Sequence, residues 1–205
     1  MQVTAIVGSY RKGGIVDSAV DEILAAAQEA GADVTKVYLI DKHIEFCRNC
    51  RACMQPEGPQ RGDCSLADEM GAVLDQIERS DAFVLASPMN FGTVTAVMKR
   101  FVERLACYGY WPWETLSPQV RNKQKAKRAV VVSSSAAPAL IARLSTQIVG
   151  LLKKSAGLLG ARKIDVLFIG LAAKQPTQTI SEGTRQRARL LGKKLVAGQR
   201  LQKQP

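Results

Sequence analysis

Five short runs of apolar, largely β-branched residues recur along the chain, at 3–7 (VTAIV), 34–40 (VTKVYLI), 81–87 (DAFVLAS), 129–135 (AVVVSSS) and 163–170 (KIDVLFIG). Between them the apolar spacing lengthens to the helical period, which predicts helices over 16–30, 66–79, 93–107, 138–159 and 179–198. The strand-like runs are nearly continuous rather than alternating with polar residues, so both faces of the sheet they form must be covered. Strands alternating with helices, and buried on both sides, define an α/β fold with a parallel sheet.

Local signals support the helix ends. Gly31 closes the first helix, and Ser65 with Asp68 and Glu69 suits the start of the second. Two stretches break the alternation. Residues 41–64 carry four cysteines among Pro56, Gly58, Pro59 and Gly62, and residues 108–127 carry YGYWPWETLSP before a basic run. Insertions of this length are usually functional or disordered. The expected organisation is one domain over 1–198 with the cysteine-bearing insertion at 41–64, and a frayed tail over 199–205.

The net charge of +11 is unevenly distributed. Residues 1–119 hold 11 Lys and Arg against 16 Asp and Glu, whereas residues 120–205 hold 18 against 2. The basic part has a single aromatic, Phe168, and lacks a zinc-finger or basic-zipper pattern, so nucleic acid is not the expected partner. Solvated basic helix faces that attract phosphorylated ligands fit better. The chain opens on strand-like residues without a charged-then-apolar leader, and no apolar run reaches the roughly 18 residues of a membrane span. A soluble cytoplasmic protein with no membrane partner is expected.

The segment VTAIVGSYRKGG (3–14) sets the chemistry. A buried strand that ends in a Gly and Ser loop and opens onto a helix presents free N–H groups and the positive dipole end to an anion. Ser9 and Arg11 are suitable phosphate donors, and the backbone of Gly13, Gly14, Ile15 and Val16 completes the cradle. The SPMNFG segment that ends the third strand forms a sharp loop, in which Pro88 and Gly92 let the backbone approach a flat ligand.

Together with the helix VMKRFVERL that follows, these two loops resemble the flavodoxin-like NAD(P)H-dependent FMN reductases, over roughly residues 1–170. The cysteine cluster between the second strand and second helix further resembles the iron-sulfur flavoprotein branch. The resemblance implies a flavodoxin-like doubly wound five-stranded parallel sheet of order 2-1-3-4-5 with helices on both faces. In that order the flavin lies where strands 1 and 3 part. It implies FMN phosphate on Ser9, Arg11 and residues 13–16, and the ring beside Pro88, Met89, Asn90, Phe91 and Gly92. A third contact comes from Ser134 and Ser135 in SSSAA (133–137). The family often carries Asn and Thr where this chain has Ile15 and Val16, and a Tyr near Asn90. It also implies NAD(P)H as co-substrate, a quinone, flavin or other small molecule as acceptor, and a homodimer or homotetramer.

Cys47, Cys50, Cys53 and Cys64 put four thiols on one loop, enough for a 4Fe-4S cluster. They could equally hold a structural zinc, or remain free or redox-labile. Arg48 and Arg51 favour the thiolate. Cys107 is expected in the core, and Tyr108, Tyr110, Trp111 and Trp113 at a subunit interface. His43, the only histidine, sits near Asp41 in a loop, where a catalytic pair can be imagined but a structural role is expected; no Ser/His/Asp set is identifiable, and no P-loop lysine follows the first strand. The expected activity is FMN-dependent oxidoreduction. The alternatives are an iron-sulfur flavoprotein electron carrier and a non-catalytic flavin- or zinc-binding protein.

Overall fold

A computed structural model describes residues 1–121, 123–175 and 177–200, the side chains of 198–200 excepted. The strands are β1 (Gln2–Val7), β2 (Asp33–Tyr38), β3 (Ala82–Pro88), β4 (Gly109–Tyr110), β5 (Gln119–Val120), β6 (Lys127–Ser134) and β7 (Ala161–Ile169). The helices are α1 (Ile15–Glu29), α2 (Met70–Arg79), α3 (Ala96–Arg104), α4 (Ala139–Ser145), α5 (Ile148–Leu158) and α6 (Glu182–Arg200). Five strands form one parallel sheet in the order β2-β1-β3-β6-β7, which is the expected 2-1-3-4-5 once the two-residue strands β4 and β5 are set aside. This is the flavodoxin-like fold. The β4–β5 pair is a small antiparallel ladder inside the second insertion.

Strand periodicity divides the core into two layers. Ile6, Phe83, Leu85 and Val131 face one side with Ile77 of α2, Met98 of α3 and Leu152 of α5. Val3, Ala5, Val84 and Val132 face the other with Val20 of α1 and Leu195 of α6. Small residues let α1 and α6 approach closely. A Cβ at Gly192 would lie 2.1 Å from the Ile23 carbonyl oxygen and 3.0 Å from Ala26 Cβ.

Several helix ends differ from expectation, each through a side chain that competes for backbone groups. The helix expected over 66–79 starts at Met70, because Asp68 bonds the Met70 amide at 3.0 Å and is also drawn into a buried pair with Arg104. The helix expected over 93–107 starts at Ala96, capped by Thr95, and tightens into a 3-10 turn over Leu105–Tyr108. The helix expected over 138–159 is two helices. Ser145 Oγ donates to Ile141 O at 2.9 Å and Thr146 Oγ1 to Ala142 O at 2.7 Å, while Thr146 itself is extended. Such back-bonding by Ser and Thr favours a helix end or bend. α6 begins after Ser181, whose Oγ accepts the Thr184 amide at 3.2 Å, and it continues to Arg200. The remainder of the expected tail, 201–205, lies outside the described residues. Among the described residues, no helix is long and apolar enough to cross a membrane.

The α1–α6 contact is open to direct test. Gly192→Leu should cost about 3 kcal/mol in urea unfolding, because a backbone carbonyl cannot yield to the new side chain. Gly183→Ala on the same helix, where a Cβ meets nothing within 4 Å, should be neutral or gain about 0.5 kcal/mol. Equal effects at both positions would contradict this packing.

Candidate functional site

The loop after β1 is tied to the loop after β3 by a chain of buried polar contacts. Thr95 Oγ1 donates to the Gly8 carbonyl at 2.5 Å and accepts the Met98 amide at 3.2 Å, so one hydroxyl fixes a loop and caps α3. The Thr95 amide donates to Ser87 Oγ at 3.1 Å, and the Gly8 amide to Ala86 O at 2.8 Å. Tyr10 adds a bridge, its hydroxyl accepting the Ala96 amide at 3.1 Å. Gly8 is required here, since a Cβ would stand 2.6 Å from Met98 Cβ.

Beyond Gly8 the chain forms a turn in which the Arg11 amide donates to Ser9 Oγ at 3.1 Å, and Gly13 adopts φ +73°. The first helical bond of α1 runs from the Ser18 amide to Gly14 O at 2.8 Å. The amides of Ile15, Val16 and Asp17 therefore precede any helical acceptor, at the positive end of the dipole. The Gly13 amide is not part of that free set, because it donates to Asp17 Oδ2 at 2.6 Å. Gly13 and Gly14, whose amide donates to Arg11 O at 3.4 Å, thus shape the expected cradle, while the donors are the amides of Ile15, Val16 and Asp17. Ile15 and Val16 bury their side chains in the core, leaving only their backbone for the cradle.

These groups line a cleft of about 480 Å³ at the carboxyl edge of the sheet. Ser9, Arg11, Gly13, Gly14, Ile15, Val16, Pro88 and Ser134 meet there, drawn from the ends of β1, β3 and β6. Of the remaining expected residues, Met89 and Ser135 stand next to the lining. The Met89 amide donates to Ser134 O at 2.8 Å, and the Ser135 amide to Ile169 O at 2.9 Å. Asn90, Phe91 and Gly92 form a tight turn closed by the Asn90–Thr93 bridge, and Phe91 is fully exposed at φ +47°. Phe91 therefore does not cover the cleft in this conformation. A further wall comes from the segment after β7, with Ala172, Gln175, Thr177, Gln178 and Thr179. Gln178 holds that segment, bonding Leu171 O and the Lys174 amide at 2.9 Å each. Its hydroxyl and amide groups were legible only as polar composition before α6. The lining holds Arg11 and Lys12 and no carboxylate, a donor set that fits a phosphate.

The four expected ligand cysteines line a second, apolar cavity of about 320 Å³, with Arg51, Leu66, Ala106 and Trp111. Left-handed Asn49 (φ +52°) and Arg51 (φ +59°) turn the backbone between Cys47, Cys50 and Cys53. Arg51 is held by stacking on Trp111 at 3.8 Å and Trp113 at 4.3 Å, and by donating to Trp111 O at 2.8 Å. The aromatic insertion therefore covers the cysteine loop within one chain. Burial pushes the Cys53 thiol up, and the other three thiols add to the effect. The Ala52 backbone and Ser65 hydroxyl hold Cys50 below the usual thiol range, helped by Arg48. Arg104 Nη2 lies 3.4 Å from Cys64 Sγ. No three of the described His, Cys, Asp and Glu side chains stand close enough to hold a single metal ion. Cys107 is buried, and burial pushes its thiol up to about 12. His43 is exposed and faces Glu45 at 3.0 Å, while Asp41 pairs with Lys12 at 2.6 Å.

Thr95 at the start of α3 is stitched to the loop after β1, and Ala106, in the turn beyond the end of α3, lines the thiol cavity. Roughly 17 Å of helical rise separates Thr95 from Ala106.

The sequence pattern of the NADPH-dependent FMN reductase family matches residues 1–153, and the chain belongs to that family. It is 36% identical over 112 residues to an iron-sulfur flavoprotein of Archaeoglobus fulgidus, covering 55% of this chain and 49% of that protein. It is 32% identical over 104 residues to an iron-sulfur flavoprotein of Methanocaldococcus jannaschii, covering 51% of each. The chain thus spans about half the length of the curated relatives it matches. Among solved structures, an azoreductase of Bacillus anthracis superposes with a TM-score of 0.66 at 14% identity, over 98% of this chain and 99% of that one. An NAD(P)H:quinone oxidoreductase of Methanothermobacter marburgensis does so with a TM-score of 0.63 at 14% identity, over 100% and 98%. At these identities the superpositions establish the shared fold.

The Asp68–Arg104 pair anchors the cysteine segment. Both side chains are almost fully buried, and Arg104 also donates to Glu45 O at 2.9 Å. Asp68→Ala should cost about 3–5 kcal/mol in urea unfolding, since it strands a buried guanidinium. A loss below about 1 kcal/mol would show that the pair does not hold this segment.

Proposed function

We propose that this protein is an FMN-dependent oxidoreductase that uses NAD(P)H and carries an iron-sulfur cluster. The observation that carries the flavin reading is the cleft in which the first-turn amides of α1, Arg11, Pro88 and Ser134 converge. The family match supports the same ligand. Bound FMN would supply hydride chemistry, accepting from NAD(P)H and returning electrons to a quinone, a flavin or another small acceptor.

The chain's own part is binding and orientation. The amides of Ile15 and Val16 would take the phosphate with Arg11, while Thr177 and Thr179 offer hydroxyls from the opposite wall. The backbone after β3 and β6 would meet the ring edge, with Pro88 and Ser134 close to it. The exposed 90–93 turn leaves the outer side of the cleft open to a co-substrate.

The four thiols surround a shared apolar cavity, and the iron-sulfur flavoprotein relatives support reading them as cluster ligands. A cluster held there would supply one-electron exchange.

Anaerobically purified protein should show a flavin spectrum and a broad cluster absorbance, with iron and sulfide on analysis. Cys47→Ser should lose the cluster absorbance while flavin binding persists. Arg11→Ala should weaken FMN binding by about 1.5–3 kcal/mol, the worth of a hydrogen bond to a charged group. Colourless protein that retains zinc and takes up no flavin would overturn the proposal.

A further inference from the structure

The phosphate loop already contains an anion of its own. Asp17 sits in the first turn of α1 with 2% of its surface exposed, and its Oδ2 accepts the Gly13 amide at 2.6 Å and the Tyr38 hydroxyl at 3.1 Å. A second anion bound at the adjacent amides of Ile15 and Val16 would face this carboxylate across one turn of backbone. The repulsion between them would be strong if Asp17 stood alone, because two like charges about 6 Å apart in a partly screened site interact by several RT.

It does not stand alone. Lys36 projects from β2 with its Nζ 2.5 Å from Asp17 Oδ1 and 2.6 Å from Asp21 Oδ1, and is only 15% exposed. Tyr38 packs beside it, with the Lys36 ammonium 4.8 Å from the ring centre and Lys12 at 4.9 Å on the same ring. Burial opposes the Lys36 charge, yet its bonds to Asp17 and Asp21 hold its pKa above the ordinary lysine range. Lys12 is itself paired with Asp41 at 2.6 Å. Lys36, shared between Asp17 and Asp21, is the cation that touches Asp17.

We infer that Asp17 and Lys36 are positioning residues for the flavin phosphate: Asp17 holds the Gly13 turn in shape through its amide, and Lys36 cancels the Asp17 charge so that the same turn accepts a phosphate. This rests on the FMN reading of the cleft. It goes beyond that reading by assigning phosphate selectivity to a pair that does not line the cleft. It also predicts that the pair acts on FMN and leaves riboflavin, which lacks the phosphate, nearly untouched.

The readout is the ratio of FMN to riboflavin affinity, measured by flavin fluorescence quenching. In wild-type protein FMN should bind more tightly than riboflavin. Lys36→Met should lower the ratio about tenfold or more. The double variant Asp17→Asn with Lys36→Met should restore it to near the wild-type value, because Asn keeps an acceptor for the Gly13 amide without the charge. Asp17→Asn alone should raise the ratio, which keeps the inference testable if Lys36→Met does not fold. An unchanged ratio in Lys36→Met, a failure of the double variant to recover, or a fall in Asp17→Asn would each overturn it. Wild-type protein that binds FMN normally while the variants behave in these ways overturns this inference only. Wild-type protein that takes up neither flavin overturns the cleft assignment, and this inference with it.

Discussion

The hydroxyl of Thr95, bonded to the Gly8 carbonyl and the Met98 amide, fixes the two lips of the cleft at the carboxyl edge of the sheet. In a parallel sheet the strands that part company leave a crevice at their carboxyl ends, and a crevice is useful only if its two lips keep their spacing. Thr95 joins the lip after β1 to the helix that begins the lip after β3, while the Ser87 hydroxyl takes the Thr95 amide from the other side. The Thr95 atoms are buried, so these bonds are shielded from competing water. The loop after β1 is consequently a fixed extension of the sheet rather than a free surface turn.

The same helix connects that loop to the thiols. α3 starts at the stitch and ends where Arg104 pairs with Asp68 and reaches Cys64. The cysteine segment hangs from this buried pair at one side and is covered by Trp111 stacked on Arg51 at the other. Two insertions that are far apart in the chain therefore enclose one cavity, each supplying what the other lacks: one the thiols, the other an aromatic cover. The arrangement keeps the cleft at the sheet edge and the thiol cavity in separate compartments of one fold.

How much of this was legible depended on whether the deciding contact is local. The five sheet strands could be placed within a residue or two, because unbroken runs such as AVVVSSS can only be buried strands in a chain of this pattern. The cleft residues at the ends of β1, β3 and β6 followed from the motifs once the fold was assigned. Long-range contacts were invisible. Nothing around Ser65 signals that Asp68 is engaged with Arg104, so the start of α2 was placed too early. The break at Thr146 arises from side chains bonding back to their own helix, which residue type permits but does not demand. The wall formed by Ala172, Gln175, Thr177, Gln178 and Thr179 carries no motif, and is brought to the cleft by the order of the sheet. The Asp17–Lys36 pair joins α1 to β2 and leaves no mark in the local sequence.

The central claim is that a flavin phosphate rests on the first-turn amides of α1. The most direct measurement is a titration of isotopically labelled protein with FMN, followed residue by residue through its backbone amide resonances. The largest shifts should fall on Gly14, Ile15 and Val16, with smaller ones at Ser134 and Thr177, and riboflavin should leave the first three nearly unmoved. Shifts that leave residues 14–16 undisturbed and cluster on another surface would contradict it.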